Sequence, residues 1–187
     1  MSGSRLVQPV NGLDHASGNP DAPVTLVEYG DYQCPFCGQA HPIVKRIQER
    51  FGSRLRFVFR NFPLSEIHPQ AMHAAAAAEW VAQAGGEEAY WAMHDLLLEN
   101  QRDLRDAALA KYAEAAGVGA EGLADALASE SYELAVRLSF MSGVRSGVNG
   151  TPTFFINGER HRGPWDEEAL AAAIEAAEQA IPAAAPA

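Results

Sequence analysis

Both alternating faces of residues 24–29 are largely apolar, which is the pattern of a β-strand that is covered on both sides. Residues 55–60 alternate in a similar way and predict a second strand. Between the two, apolar residues recur at helical spacing over 36–51, and Gly52 ends this pattern, which predicts an amphipathic helix. Together the three segments predict a β-α-β unit.

The middle of the chain, residues 63–147, has helical periodicity and no convincing strand pattern. Glycines and capping residues divide this block into five predicted helices, at 69–84, 87–100, 106–116, 121–128 and 132–146. An all-helical segment therefore follows the β-α-β unit.

The last part of the chain returns to strand patterns. Residues 152–156 are β-branched and aromatic, and Asn157-Gly158 predicts a tight hairpin to a returning strand at 160–162. Asp166 is placed to cap a final amphipathic helix.

This order of elements predicts an α/β protein, with a mixed β-sheet flanked by helices and an all-helical insertion. The sheet domain is expected to be discontinuous, at 1–62 and 148–187, with the insertion at 63–147. The turn-rich start, 1–22, and the Ala-Pro tail, 182–187, are expected to be loosely ordered. If both ends of the insertion return to the sheet, the insertion lies beside the first strand-to-helix junction.

Composition and charge narrow the class of protein. The chain has 187 residues, of which 48% are hydrophobic and 20% charged, as is typical of a globular domain with a buried core. Its 14 Lys and Arg against 24 Asp and Glu give a formal net charge of −10, so we expect neither nucleic acid nor a membrane as a partner. No apolar run approaches a membrane span, and the start of the chain lacks the pattern of a secretory signal, which predicts a cytoplasmic location.

The chain has two cysteines, Cys34 and Cys37, at the predicted junction between the first strand and the first helix. Residues at i and i+3 in a first helical turn share a face, so their sulfurs can form and break a disulfide without refolding. Pro35 suits the first helical position, and the free amides there should lower the pKa of Cys34 and make it the nucleophile. Cys37 is then expected to resolve a mixed disulfide formed on Cys34.

Two other interpretations of the cysteine pair have less support. A static disulfide would be unusual in the cytosol, and closing so short a loop contributes little entropic stabilisation. Zinc could be bound by Cys34, Cys37 and His41, but a structural zinc site needs four protein ligands and the chain has no second cysteine pair. We therefore expect no metal, and we place His41 on the solvent-facing side of its helix.

Two motifs lie far apart in the chain: CPFC at 34–37, after the first predicted strand, and GTPTFFING at 150–158. With the helical insertion, and with Pro42 where the first helix of related proteins kinks, they resemble the DsbA-like members of the thioredoxin superfamily. The resemblance implies a thioredoxin fold in which Pro152 is cis and lies against the cysteines. It also implies that Thr151 and Pro152 bind an extended substrate peptide.

Two more residues are candidates for tuning the site. Glu28 alternates with the apolar residues of the first strand, so we expect a buried carboxyl group with a raised pKa that exchanges a proton with Cys37. An acidic residue at the corresponding place in the related family supports this, and a partly exposed charge at the strand end is the alternative. Phe36 departs from DsbA itself, which has His there, so Cys34 should be less acidic and its disulfide less strongly oxidising.

The sequence therefore predicts an enzyme, a thiol–disulfide oxidoreductase that acts on protein or peptide cysteines together with a reducing or oxidising partner. The pair Cys34 and Cys37 would be the redox centre, with no flavin, nucleotide or other cofactor. One alternative is a kappa-class glutathione transferase or isomerase, which has a similar architecture but uses a single hydroxyl or thiol. The other is a peptide-binding or chaperone-like module without redox turnover.

Overall fold

The computed structural model describes residues 5–181 of the chain. Its centre is a five-stranded sheet in the order β1-β3-β2-β4-β5. The strands are β1 (His15–Gly18), β2 (Val24–Gly30), β3 (Leu55–Asn61), β4 (Thr153–Ile156) and β5 (Glu159–Arg160). The pair β2 and β3 is parallel and the other neighbouring pairs are antiparallel, so the sheet is mixed, as predicted.

Helices flank the sheet and form the insertion, so the predicted fold class is confirmed. They are α1 (Pro35–Phe51), α2 (Ala71–Glu99), α3 (Asp106–Ala115), α4 (Leu123–Ala128), α5 (Glu133–Arg145) and α6 (Glu167–Gln179). Two of the predicted helices are joined end to end as α2, which is broken at Gly86, where φ is 76°. That positive φ suits a glycine and marks the boundary that the sequence indicates.

Both faces of the sheet are covered, which explains the nearly continuous apolar pattern of β2. Leu26 faces a large core beneath α1, α2 and α6, whereas Val27 and Tyr29 face a smaller core that contains Phe62. Each of these four side chains is at most 3% exposed. Glu28 alternates with Val27 and Tyr29 and therefore points to the same side as Leu26.

The expectation that residues 1–22 are loosely ordered is wrong for the described part of that segment. β1 pairs with β3, and Arg60 of β3 binds the carboxylate of Asp14 with its Nε at 2.7 Å. Arg60 is 4% exposed and also donates to two backbone carbonyls of the N-terminal segment. These contacts join residues that are distant in sequence, so no local pattern indicates them. Residues 1–4 and the predicted loose tail, 182–187, lie outside the described residues.

The predicted hairpin after the insertion is present, but its returning strand is Glu159–Arg160 and not 160–162. β4 and β5 are joined by Asn157 and Gly158, whose φ values are 46° and 83°, as a two-residue turn between twisted strands requires. Asp166 caps α6, since its Oδ1 accepts a hydrogen bond from the N–H of Ala169 at 3.1 Å. The segment that enters β4 approaches the start of α1.

Candidate active site

The two cysteines lie at the N-terminus of α1, just after β2 ends. Cys34 is the N-cap residue, in an extended conformation, and Pro35 begins the helix, where its missing N–H costs nothing. The N–H of Gly38 donates to the carbonyl of Cys34 at 3.2 Å and closes the first turn. Both cysteines are free thiols, and Cys34 is 3% exposed while Cys37 is fully buried.

The surroundings of Cys34 favour its thiolate and lower its pKa from 9.0 to about 5. The hydrogen bond from the Cys37 thiol is the largest cause, and burial opposes it. Hydrogen bonds from the backbone of Cys37 and Phe36 add to the lowering. The free amides at the helix start therefore contribute, as expected, but the neighbouring thiol contributes more than they do.

The segment before β4 forms the other wall of the site. The peptide bond between Thr151 and Pro152 is cis, and the Sγ of Cys34 lies 3.5 Å from the carbonyl oxygen of Thr151. These two residues are 117 positions apart in the chain. The fold thus brings together the two motifs that the sequence analysis singles out.

Glu28 lies in the core on the cysteine side of the sheet, 2% exposed, and its Oε1 has no hydrogen-bond partner among the described residues. Burial, and then the negative charge of Cys34, raise the pKa of Glu28 from 4.5 to about 8. Burial also raises the pKa of Cys37 well above 9.0, and the charges of Glu28 and Cys34 add to this effect. The pKa values of the two cysteines are therefore shifted in opposite directions: Cys34 ionises readily, whereas Cys37 keeps its proton.

A small cavity of about 40 Å³ adjoins Glu28. His41 of α1 and His94 and Asp95 of α2 line it, and at this volume it has room for two or three water molecules by a rough measure. The expectation that His41 faces solvent is wrong, since it is only 6% exposed. Its helix face is covered because α2 of the insertion packs against α1 there, which the periodicity of α1 alone does not indicate.

The same cluster is the one place in residues 5–181 where three potential metal ligands converge. The ligand atoms of His41, His94 and Asp95 all lie within 4.8 Å of one another. However, Lys45 donates to Oδ2 of Asp95 at 2.7 Å, and a bound ammonium group repels a metal cation. These residues differ from the zinc ligands considered above, which are Cys34, Cys37 and His41. The expectation that the protein uses no metal stays a prediction.

Asp31 is a site residue that sequence reasoning missed. Its side chain is buried and accepts hydrogen bonds from the N–H of Gln33 at 2.7 Å, from the N–H of Leu64 at 2.8 Å and from Nδ1 of His68 at 2.8 Å. Its own N–H donates to Sγ of Cys37 at 3.4 Å. The hydrogen bond from the N–H of Gln33 forms an Asx turn, a turn that Asp favours. An Asp in the loop after the first predicted strand is therefore the sequence signal for this contact.

Gln101, in the loop after α2, is a second such residue. Its Nε2 donates to the carbonyl of Tyr32 at 2.9 Å and to the carbonyl of Cys34 at 2.8 Å. Its side chain also packs closely on Gly38, where a Cβ atom would overlap it. Gln101 therefore connects the insertion to the turn that carries Cys34, and no sequence pattern around it indicates this.

The fold and the paired cysteines facing a cis-proline define a thioredoxin-fold protein of the DsbA-like type. A profile of the family described as Thioredoxin matches residues 11–176, and the chain belongs to that family.

Solved structures support the same fold. BdbD from Bacillus subtilis, in its oxidised form, superposes with a TM-score of 0.84, is 26% identical and covers 96% of this chain and 98% of its own. The alpha-DsbA1 protein of Wolbachia pipientis superposes with a TM-score of 0.76 at 19% identity, covering 93% of this chain and 94% of its own. The long helical insertion is therefore part of the shared architecture.

Curated relatives of similar sequence are much longer proteins. A Na(+)/H(+) antiporter NhaA 3 of Salinispora tropica is 44% identical over 173 residues, which are 92% of this chain and 26% of the relative. An NhaA 1 of Mycolicibacterium gilvum is 40% identical over 177 residues, which are 93% of this chain and 28% of the relative. The chain thus spans about a quarter of the length of these relatives. Within the described residues, every helix is too short or too polar to cross a membrane.

Proposed function

We propose that the protein is a thiol–disulfide oxidoreductase that exchanges disulfides with protein or peptide cysteines. The observation that carries this proposal is the opposite tuning of the two thiols: the pKa of Cys34 is lowered to about 5 and that of Cys37 is raised above its ordinary value. A nucleophile that is ionised and a second thiol that stays protonated until needed are the two parts that the exchange reaction requires.

In the reducing direction, the Cys34 thiolate attacks a sulfur of the substrate disulfide. A bond forms between Cys34 and that sulfur, the substrate disulfide breaks, and the other substrate sulfur leaves as a thiolate. Glu28, in the fraction of molecules where it has released its own proton, then accepts the proton of Cys37. The Cys37 thiolate attacks Sγ of Cys34, which releases the second substrate thiolate. The substrate has gained two electrons and the enzyme holds a Cys34–Cys37 disulfide; the reverse sequence oxidises a dithiol substrate.

Glu28 suits the role of proton acceptor because of where it lies. It is buried on the cysteine side of the sheet with one unpartnered oxygen, and a pKa of about 8 keeps it exchangeable near neutral pH. The adjoining cavity offers a route by which the proton can reach water. In this proposal Glu28 acts only on the second step, when Cys37 becomes the nucleophile.

Thr151 and Pro152 would bind the substrate. Thr151 presents its backbone next to Cys34, and Pro152 has no N–H to pair within the sheet, so an extended peptide can lie along this edge. Phe36 is 57% exposed and adds an apolar surface beside the cysteines. Because Phe36 cannot donate a hydrogen bond to Cys34, we expect the disulfide to be less oxidising than in a relative with His there.

Relatives support the class of enzyme. A structure described as a thioredoxin-like oxidoreductase from Silicibacter pomeroyi superposes with a TM-score of 0.75 at 25% identity. The redox centre would be the two cysteines themselves, without a further cofactor, and the cytoplasmic location stays a prediction.

Replacing Cys37 with Ala tests the proposal. The variant should form stable mixed disulfides with disulfide-containing model proteins and lose turnover in an insulin-reduction assay, whereas Cys34→Ala should lose turnover without forming any mixed disulfide. A kappa-class transferase would keep glutathione conjugation in the Cys37→Ala variant, and a peptide binder would bind peptides equally with or without either thiol. Either result would refute the oxidoreductase proposal.

A further inference from the structure

An open groove of about 350 Å³ lies directly beside the proposed substrate edge. Pro152 forms one end of it, and the strand β5 and the loop before α6 form the rest, with Trp165 as an aromatic wall. Thr151, next to Pro152, lies 3.5 Å from Cys34, and an extended peptide advances about 3.3 Å per residue. Residues adjacent to a substrate cysteine would therefore lie at this groove.

The groove is cationic in an otherwise acidic protein. Arg160, His161 and Arg162 line it, and no Asp or Glu does. Most other arginines of residues 5–181 form ion pairs with carboxylates, among them those at 46, 50, 54 and 60. Arg160 and Arg162 form no ion pair with a carboxylate of the described residues. Their charges are thus left for a ligand.

The existing contacts of the two arginines do not neutralise them. Arg160 donates to the carbonyl of Gly147 at 2.5 Å and to Oδ1 of Asn149 at 3.2 Å, and both acceptors are uncharged. Arg162 is exposed and has no hydrogen bond with any described residue. Arg160 therefore holds the loop before β4 in place, whereas Arg162 is free to bind.

The nearest acidic residues in sequence are already engaged. Glu159 pairs with Arg5, and Asp166 accepts the capping hydrogen bond at the start of α6. The net charge of −10 is spread over the whole surface, and salt screens such distant charges beyond about 8–10 Å. A negative group in the groove would therefore experience the two guanidinium groups more strongly than the remaining surface.

We infer that this groove selects cysteine-containing peptides with an Asp or Glu side chain next to the cysteine. The inference rests on the proposed function and adds a substrate class to it. The planar guanidinium group of Arg162 can bind a carboxylate with two hydrogen bonds, and Trp165 can cover the apolar part of the same side chain. Arg160 strengthens the local positive charge without leaving its loop.

The test uses the Cys37→Ala protein and short peptides that carry one cysteine as a mixed disulfide with thionitrobenzoate. Cys34 attacks the peptide sulfur, a new disulfide forms, and the coloured thionitrobenzoate leaves with the electron pair, so no other oxidant is needed. Three peptides differ only in having Asp, Asn or Lys on both sides of the cysteine. The second-order rate constants are compared at low and at high salt.

We expect the Asp peptide to react faster than its Asn counterpart, and the Lys peptide to react more slowly. Arg162→Ala should reduce the ratio of Asp to Asn rates by about two- to five-fold, which is the effect of one exposed ion pair, and added salt should do the same. Arg162→Glu should invert the order of the Asp and Lys peptides. The matched control is Lys111→Ala, which removes one exposed positive charge from α3.

Failure of this inference and failure of the proposed function look different. If no peptide releases thionitrobenzoate faster than the Cys34→Ala protein does, the oxidoreductase proposal itself is refuted. If all three peptides react at the same rate, or if Lys111→Ala lowers the Asp preference as much as Arg162→Ala, the groove does not select for carboxylates.

Discussion

Replacing Glu28 with Gln should reduce the loss of stability that the protein suffers as the pH rises from 5 to 7.5. The pKa of Glu28 is raised from 4.5 to about 8, chiefly because its carboxylate would be buried without a partner. Between these pH values the unfolded chain has released a proton that the folded protein retains. The stabilising contribution of the protonated group is therefore complete below pH 4.5 and is lost progressively as the pH rises toward 8.

The loss amounts to about 1.4 kcal/mol per pH unit, or about 3 kcal/mol between pH 5 and pH 7.5. Gln cannot ionise, so the Glu28→Gln variant avoids this loss. A buried Gln amide has its own cost, but that cost is independent of pH and cancels when one variant is compared at two pH values. The difference in unfolding free energy between variant and wild type should therefore shift by about 3 kcal/mol in favour of the variant.

Urea denaturation of the reduced protein, followed by circular dichroism at both pH values, measures this shift. Glu88→Gln is a suitable control because Glu88 is an exposed carboxylate in the same protein. Equal shifts for the two variants, or no shift for Glu28→Gln, would show that Glu28 is not a buried acid with a raised pKa. The same variant should also slow the release of mixed disulfides, because Cys37 would lose its proton acceptor.

Three further predictions concern other groups. Cys37→Ala should raise the pKa of Cys34 from about 5, because the Cys37 thiol is the main hydrogen-bond donor to the thiolate; a thiolate-absorbance titration that shows no change would contradict this. Phe36→His should lower that pKa and make the disulfide more oxidising, which equilibration with glutathione measures directly. Burial lowers the pKa of His15, but its bonds to Glu79 and to a second glutamate outweigh this and raise the pKa above 6.5. Its ion pairs therefore stabilise most below pH 6.5 and less as the pH rises through the raised pKa, so the loss of Tm in His15→Gln should shrink with rising pH.

Local patterns were sufficient for most of the fold. The helices, the hairpin at Asn157 and Gly158 and the parallel pair of strands follow from periodicity, glycine positions and turn chemistry, each of which acts over a few residues. β1 was missed because it is short and its partner, β3, lies about 40 residues later, beyond the range of any local pattern.

The same limit applies to the site. The CPFC and GTPTFFING motifs indicate the thiols and the proline segment, and the alternation of β2 indicates the side to which Glu28 points. The burial of His41 and the contacts of Asp31 and Gln101 depend on how the insertion packs on α1 and on the preceding turn. Such contacts are decided by tertiary structure, so the sequence of either partner alone does not indicate them.

The buried carboxylate of Asp31 has a consequence for the architecture. Because it accepts hydrogen bonds from Leu64 and His68, at the beginning of the insertion, the turn before the cysteines is anchored to the inserted segment. Trimming the chain to its sheet would remove two of the three groups that donate hydrogen bonds to that carboxylate and uncover the flank of α1. The insertion therefore supports the turn that leads to the two cysteines. A shortened protein without it would lose that support.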